Sequence, residues 1–441
     1  MQNCVPGLAA RIAVLLFTVG CSIGAYGQGS LPPPNAAGFE HVVVVMMENR
    51  SFDHFFGWLP GANGQQAGLA YLDSAGNSHP THSLPPDYQG CGFLDPGHSY
   101  SDGRVQYHNG ACDGFLLDGS NSDPDNGHPN QANDIFAVGY YGQNDLAFLG
   151  VAGPEFTVCD NYFCGIMAET YPNRFYMHAA QTDRLENNFD TSTLPTIWDR
   201  LQDKGFSGRY YFSDLPFLGL WGTRFVNISK PFAQFLVDAA AGTLPNVAFI
   251  DPRFEDEASG TSNDDHPHAD IRNGEVFLNQ IYNALRSSPN WSKTVLIINY
   301  DEWGGFFDHV PPPLAPIPPA SAAAGDVDGR LGFRVPCVVI SPYSRRHYVA
   351  HGQFDHTSIL KLIEWRFGLS PLTVRDSTAN NLAEVLNFET PNGTAPTFSV
   401  PSGPFGSPCL PLRTDSPPSE HASEWRRLRV IAIKAGFKGV Q

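Results

Sequence analysis

The chain has 441 residues, too many for a small disulfide-stapled scaffold and enough to bury a large core, as one α/β domain or two. Its 27 Lys and Arg stand against 44 Asp and Glu, a formal charge of −17 that lacks the cationic excess a nucleic-acid backbone binder needs. Apolar residues make up 42%, which excludes a disordered chain, and 43 Gly with 37 Pro imply much ordered loop around the core.

Residues Ala9 to Gly24 are mostly apolar and small, with Arg11 ahead of the core Ile12–Val19 and a small-x-small sequence at Ala25-Tyr26-Gly27. That core is too short to span a bilayer, so residues 1–27 read as a secretory signal peptide and the mature chain as secreted or periplasmic. A lipid-modified Cys21 is the alternative, although no Leu stands three residues before it. Cleavage after Gly27 removes one Arg and no acid, leaving a charge of −18. Six cysteines remain, and the local pairs Cys91–Cys112 and Cys159–Cys164 are the favoured disulfides of an exported protein among fifteen possible pairings, with several buried thiols as the alternative. The absence of a C-x-x-C pair argues against a structural zinc site.

His41–Met47 is a continuous β-branched run, as expected of a strand buried on both faces. Residues 60–135, rich in Gly, Asp, Asn, His and Pro, read as elaborate surface loops. Further buried strands are expected at Asn246–Ile250, Val295–Ile298 and Val335–Ile340, with helices at Gly274–Ser288 and Ser358–Phe367 between and after them. This alternation predicts an α/β fold with a largely parallel central sheet, helices on both faces and long loop insertions. Residues 310–329 read as a Pro/Ala loop, and 391–420 as a Pro/Ser/Thr-rich surface segment. A basic helix from Glu424 to Lys438 carries Trp425, Leu428, Ala432 and Ala435 on one stripe, suited to packing on its own domain or to peripheral contact with an anionic membrane.

Two strands end in chemistry. The first runs into Glu48-Asn49-Arg50-Ser51, and the Val295–Tyr300 run into Asp301-Glu302-Trp303-Gly304-Gly305. Acids at the ends of buried strands need a cation, an Arg or a proton. Glu48, Asn49, Asp301 and Glu302 offer oxygen only, a set suited to a hard divalent ion such as Ca²⁺, Mg²⁺ or Mn²⁺. Thr170-Tyr171-Pro172-Asn173-Arg174 suits a helix start with Thr170 as N-cap, where free N–H groups favour an anion. His98, His266, His309 and His356 stand in acidic or Gly/Pro contexts that allow proton transfer or metal ligation.

Met46-Met47-Glu48-Asn49-Arg50-Ser51-Phe52-Asp53-His54-Phe55-Phe56-Gly57 resembles the opening motif of the bacterial phosphoesterase family of phospholipases C and secreted acid phosphatases, within the alkaline phosphatase superfamily. Thr170–Arg174 resembles its nucleophile motif, and Asp301-Glu302-Trp303-Gly304-Gly305-Phe306-Phe307-Asp308-His309 its metal motif. The resemblance implies an alkaline-phosphatase-like fold and a metal-dependent phosphoric ester hydrolase acting on a phosphate ester, a phospholipid among the options. Thr170 would be the nucleophile, passing through a phosphothreonine. Glu48, Asn49, Asp301, Glu302 and the Thr170 hydroxyl would hold a divalent cation (Ca²⁺, Mg²⁺, Mn²⁺ or Zn²⁺), with Asn49 also touching phosphate. His98, His266 and His309 would line the pocket.

Three departures stand out. Ala168-Glu169 replaces the Gly-Pro of many relatives and puts an acid beside the proposed phosphate site. Phe163 stands where relatives often have His, and Trp303 is expected to narrow the entrance. The implied division is a catalytic domain over 28–390 and a segment, 391–441, packed on it. A phospholipase C-like diesterase leads. An acid phosphatase-type monoesterase is the alternative, followed by a sulfatase-like hydrolase, for which Thr170 is the wrong nucleophile, and a non-catalytic binding protein.

Overall fold

A computed structural model describes residues 1, 31–117, 135–255, 257–409 and 420–440; the expected signal peptide and Cys21 fall outside these apart from Met1. Eight strands form the central sheet: β1 (His41–Met47), β2 (Thr157–Cys159), β3 (Gly208–Phe212), β4 (Ser229–Pro231), β5 (Val247–Asp251), β6 (Thr294–Tyr300), β7 (Cys337–Ile340) and β8 (Tyr348–Ala350), in the order β8-β2-β7-β6-β1-β5-β3-β4. The β-branched runs of β1 and β6 occupy the middle, where every residue is buried. Residues covered on both faces have no reason to alternate with polar ones, so the runs are unbroken.

The β1 pairings to β5 and β6, and those of β3 to β5, β4 to β3 and β8 to β2, are parallel. Only β7 runs against its neighbours β6 and β2. The expected run Val335–Ile340 is therefore a strand, Cys337–Ile340, but an antiparallel one, reached through the long segment that follows β6. Register decides where the chemistry falls. Met47 lies opposite Tyr300 and Val45 opposite Ile250, so Glu48, Asp301 and Asp251 come together at the carboxyl ends of three adjacent strands. That edge is where an open parallel sheet places its ligands.

Five helices matter below: α1 (Phe52–Phe56), α2 (Thr170–Ala179), α3 (Ile271–Arg286), α4 (His356–Phe367) and α5 (Glu420–Ala435). Asp270 caps α3 by accepting from Arg272 N, and Asp355 caps α4 by accepting from Thr357 N. Each cap satisfies an otherwise orphaned donor of the first turn, which is why both helices begin earlier than the apolar pattern suggests. Residues 60–135 contain more regular structure than their composition implies, with a hairpin of Ala70–Leu72 and Ser78–Pro80 and a helix at Tyr100–Tyr107. The Pro/Ala loop likewise carries a helical turn and a half at Pro319–Ala324.

The C-terminal segment lies against the sheet-bearing body. Trp425, Leu428 and Ala432 of α5 are buried, and Trp425 stacks on Phe254 at 4.4 Å with an 8° interplanar angle. The cysteine pairing departs from expectation. Cys91 is bonded to Cys409, 318 residues away, while Cys112, Cys159, Cys164 and Cys337 are buried free thiols. Cys159 instead faces Cys337 across the antiparallel β2–β7 pair, one step beyond Val158 and Val338. The disulfide ties the C-terminal segment to the loop at residue 91.

Candidate active site

β1 delivers Glu48 and Asn49, and β6 delivers Asp301 and Glu302. Asn49 has a left-handed backbone, φ 58°, which Asn tolerates better than most residues. Its N–H then donates to Asp301 Oδ1 at 3.2 Å, locking the two strand ends together. The Gly-Gly turn that follows is required at this spot. Gly304 also has a left-handed φ, 62°, and a Cβ there would stand 2.2 Å from the Asn49 carbonyl oxygen.

Thr170 lies in the first turn of α2, with Glu169 rather than Thr170 at the N-cap position. The Thr170 side chain is thereby freed from capping, and Oγ1 donates to Asn49 Oδ1 at 3.4 Å. The helix start offers an anion less than expected. Pro172 has no N–H, and the Tyr171 N–H is taken by Asn187 Oδ1 at 2.8 Å. Asn49 Nδ2, buried and without a hydrogen-bond partner, is the better placed donor. Glu169 is turned aside: its Oε2 accepts from Asn187 N at 2.6 Å.

Arg174 sits one helical turn beyond Thr170 on the same face and is the centre of the site. Its Nε donates to Asp301 Oδ2 at 3.0 Å, one terminal nitrogen to Asp251 Oδ1 at 3.0 Å, and the other to Glu48 Oε1 at 3.1 Å. One guanidinium thus faces three carboxylates, with Glu302 adjoining as a fourth, all buried. Burial pushes the Asp301 carboxyl up to about 7 against the pull of Arg174, and pushes Glu302 well above the usual range, helped by neighbouring Asp301. Asp251 is raised by the same desolvation. Glu302 Oε1 is a buried oxygen with no hydrogen-bond partner. Four acids against one Arg leave an excess of buried negative charge that protons or a cation must balance. The oxygen-only donor set fits a hard divalent ion.

Beyond Glu302, His98 Nε2 lies 3.8 Å from Glu302 Oε1, and His266 Nε2 lies 3.6 Å from Asp95 Oδ2. Glu257 and Asp264 bring further carboxylate oxygens within 4.8 Å of one from Glu48. Behind the site, His356 Nε2–H donates to the Asp301 carbonyl at 2.7 Å, and burial drops this imidazole to about 4. It is a neutral prop rather than a proton carrier.

Residues 39–370 match the phosphoesterase family. The chain belongs to the phosphoesterase family. It is accordingly a hydrolase acting on phosphoric ester bonds. Non-specific phospholipase C4 of Arabidopsis thaliana is 32% identical to it, covering 94% of this chain and 81% of the relative. Phospholipase C A of Mycobacterium tuberculosis is 32% identical, covering 86% and 82%. Among solved structures, a phosphonate monoester hydrolase of Agrobacterium radiobacter aligns with a TM-score of 0.36 at 11% identity, covering 80% of this chain and 78% of that one.

In this phosphoesterase the site residues expected from sequence divide into two groups. Asn49 contacts both Thr170 and Asp301, Arg174 joins Asp301 to Glu48, Glu302 follows Asp301 and faces His98, and His266 faces Asp95. His309 is held elsewhere. Its backbone N–H donates to Asp53 Oδ2 at 2.9 Å, its Nδ1 contacts the same oxygen, and its Nε2 lies 3.2 Å from Asn63 Oδ1. Asp53 and Asp308 share Arg334, through contacts at 3.1 and 2.8 Å, and Asp308 Oδ2 accepts from Asp53 N at 3.3 Å. This network ties α1, just after Asn49, to the loop just after Glu302. Trp303 is fully buried, donating to Gln106 Oε1 at 2.6 Å, and so packs the interior instead of narrowing an entrance. Arg174, Asp251, Asp95, Glu257 and Asp264 were not anticipated. Asp251 carried the same signal as Asp301, an acid at the end of a buried run.

Proposed function

We propose that the protein is an exported phosphodiester hydrolase of phospholipase C type that works through Thr170 and a phosphothreonine. The observation that carries this is the contact of Thr170 Oγ1 with Asn49 Oδ1, beside Asp301, which accepts from the Asn49 N–H. A divalent cation held by Glu48, Asn49, Asp301, Glu302 and the Thr170 hydroxyl would supply the positive charge that makes a Thr alkoxide accessible near neutral pH.

The chain's own residues do the rest. Asn49 holds the Thr170 hydroxyl in one orientation, so Oγ1 attacks phosphorus from a fixed direction. The O–P bond to Thr170 forms as the bond to the leaving alcohol breaks. Asn49 Nδ2 donates to a phosphoryl oxygen as charge builds there. Arg174 keeps Glu48 and Asp301 in place without itself facing the ester. Water then cleaves the phosphothreonine, releasing phosphate or a phosphate monoester and restoring Thr170. The 32% identity to two phospholipases C supports the diester reading. The Cys91–Cys409 disulfide supports export to an oxidising compartment.

The test is a rapid quench with a chromogenic phosphocholine diester, followed by mass spectrometry. A phosphocholine adduct on Thr170, formed as the chromogenic alcohol leaves, and loss of turnover in Thr170→Ala are expected. An active Thr170→Ala variant without the adduct overturns the reading. A higher kcat/KM on a chromogenic monoester than on the diester replaces phospholipase with phosphatase activity. Amino-terminal sequencing of protein recovered from outside the cytoplasm is expected to begin at Gln28.

A further inference from the structure

The C-terminal helix α5 packs on the body with one side only. Trp425, Leu428 and Ala432 are buried, and Leu428 and Ala432 lie over Gly219 in the turn Phe217–Trp221. At about 100° per residue, the opposite side carries Arg426, Arg427, Val430, Ile433 and Lys434, on an arc of roughly 120°. All five are exposed, Val430 by 49% and Ile433 by 53%. Lys438 is exposed just past the end of the helix.

This outer side does not have the composition of a face built for water alone. Such a face mixes acids with bases along the helix and leaves its large aliphatics on the other side. Residues 426–438 hold five of the chain's 27 Lys and Arg and no acid, in a protein whose formal charge is −17. Part of that charge is used inward: Arg429 pairs with Glu255, and the Arg427 guanidinium stands 4.8 Å from the Phe189 ring centroid. Arg426 and Lys434 remain on the surface, with Val430 and Ile433 between them. Aliphatics set among cations match a partner that is anionic at its face and apolar beneath it. A nucleic-acid backbone would satisfy the cations but press Val430 and Ile433 against phosphate oxygens. A second copy of the chain would bring like charges together.

The position of α5 gives the outer side a use. Near the start of the helix, the Trp425 ring lies 5.8 Å from that of Tyr171, the residue after Thr170, and 4.4 Å from that of Phe254, three residues beyond Asp251. Past its other end, Gly439 lies against Pro231, the last residue of β4. Phe254 and Pro231 both stand at the carboxyl ends of strands, the edge that also carries Glu48 and Asp301.

We propose that the outer side of α5 is a docking surface for an anionic phospholipid bilayer. Arg426, Arg427 and Lys434 meet the headgroup phosphates, and Val430 and Ile433 enter the interface between them. Docking needs no ester hydrolysis. That it brings lipid to Thr170 rests on the phospholipase reading.

The test is sedimentation of the full chain with vesicles of phosphatidylcholine alone and of phosphatidylcholine mixed with phosphatidylglycerol, using Thr170→Ala so that lipid is not consumed. Binding to the mixed vesicles only, weakening as salt is added, is expected. Arg426→Gln with Lys434→Gln, and separately Val430→Ser with Ile433→Ser, are each expected to weaken binding about tenfold. Both pairs are expected to keep the thermal melt and, with Thr170 restored, the kcat/KM on a soluble chromogenic diester. No sedimentation with mixed vesicles, or undiminished binding by both double variants, overturns the docking surface. Binding to double-stranded DNA as tight as to the mixed vesicles, and indifferent to the serine pair, marks a general polyanion patch and also overturns it. Binding to mixed vesicles whose lipid the protein with Thr170 does not hydrolyse leaves the surface standing and overturns the phospholipase reading alone.

Discussion

Arg174 Nε donates to Asp301 Oδ2 at 3.0 Å in a place where both side chains are closed to solvent. The same guanidinium reaches Glu48 and Asp251, so one residue of α2 holds the ends of three strands. Arg174→Ala leaves those carboxylates facing one another and is expected to destabilise by roughly 3–5 kcal/mol, the usual consequence of stranding a buried charge. Arg174→Lys keeps the charge but not the fork. It is expected to stay folded and to lose about 10²-fold in kcat/KM, read by steady-state kinetics beside a thermal melt.

Gly304→Ala places a Cβ against the Asn49 carbonyl at a left-handed position. The expected outcome is displacement of Asn49, a cost of about 2–4 kcal/mol and a large drop in turnover. Gly76, also left-handed but with open space where a Cβ would go, is the control. Gly76→Ala is expected to cost about 1 kcal/mol or less in a denaturant titration and to leave kcat unchanged.

Glu364 gives a pH signature unconnected with catalysis. Burial, reinforced by the adjacent Asp376, pushes its carboxyl up to about 10. Asp376 is already engaged, accepting from Leu372, Thr373 and Ser377 N–H groups. A carboxyl with a raised folded pKa keeps a proton that the unfolded chain releases. The folded state is therefore favoured at acid pH, and stability falls as pH rises from about 4.3, the ordinary Glu value, toward 10. Glu364→Gln removes that dependence. Its unfolding free energy is expected to exceed that of the wild type at pH 8, by on the order of 2 kcal/mol, and to match it near pH 5.

The Cys91–Cys409 bond and Trp425 fasten the C-terminal strap at two points. Cys409→Ser is expected to cost about 2–4 kcal/mol. Mass spectrometry of the denatured, unreduced protein after alkylation is expected to show Cys112, Cys159, Cys164 and Cys337 labelled and Cys91 and Cys409 unlabelled.

The strands and the five residues of the oxygen ring were legible because the cause is local. A run such as Val42–Val45 has few structures available to it, and an acid at its end has few reasons to be there. Arg174 was visible within Thr170–Arg174 but had no assigned role, since its partners are 77 to 127 residues away and only register brings them together. The same holds for Asp251, hidden at the end of a strand whose first residues alone were read. His309 looked like a pocket residue from its motif, yet its partners Asp53 and Asn63 belong to the network behind α1. The distant disulfide was illegible for a different reason, because fifteen pairings of six cysteines are all compatible with the spacing.

Thr170, Glu48, Asn49, Asp301 and Glu302 share one further property, a relative exposure of 0%. Anything bound among them exchanges only as often as the surrounding wall parts. If a cation is held there, a chelator in solution would compete with the rare opening and not with the bound state, so its removal would be paced by the protein and independent of chelator concentration once that is high. Brief dialysis and overnight dialysis would give different answers about the same site.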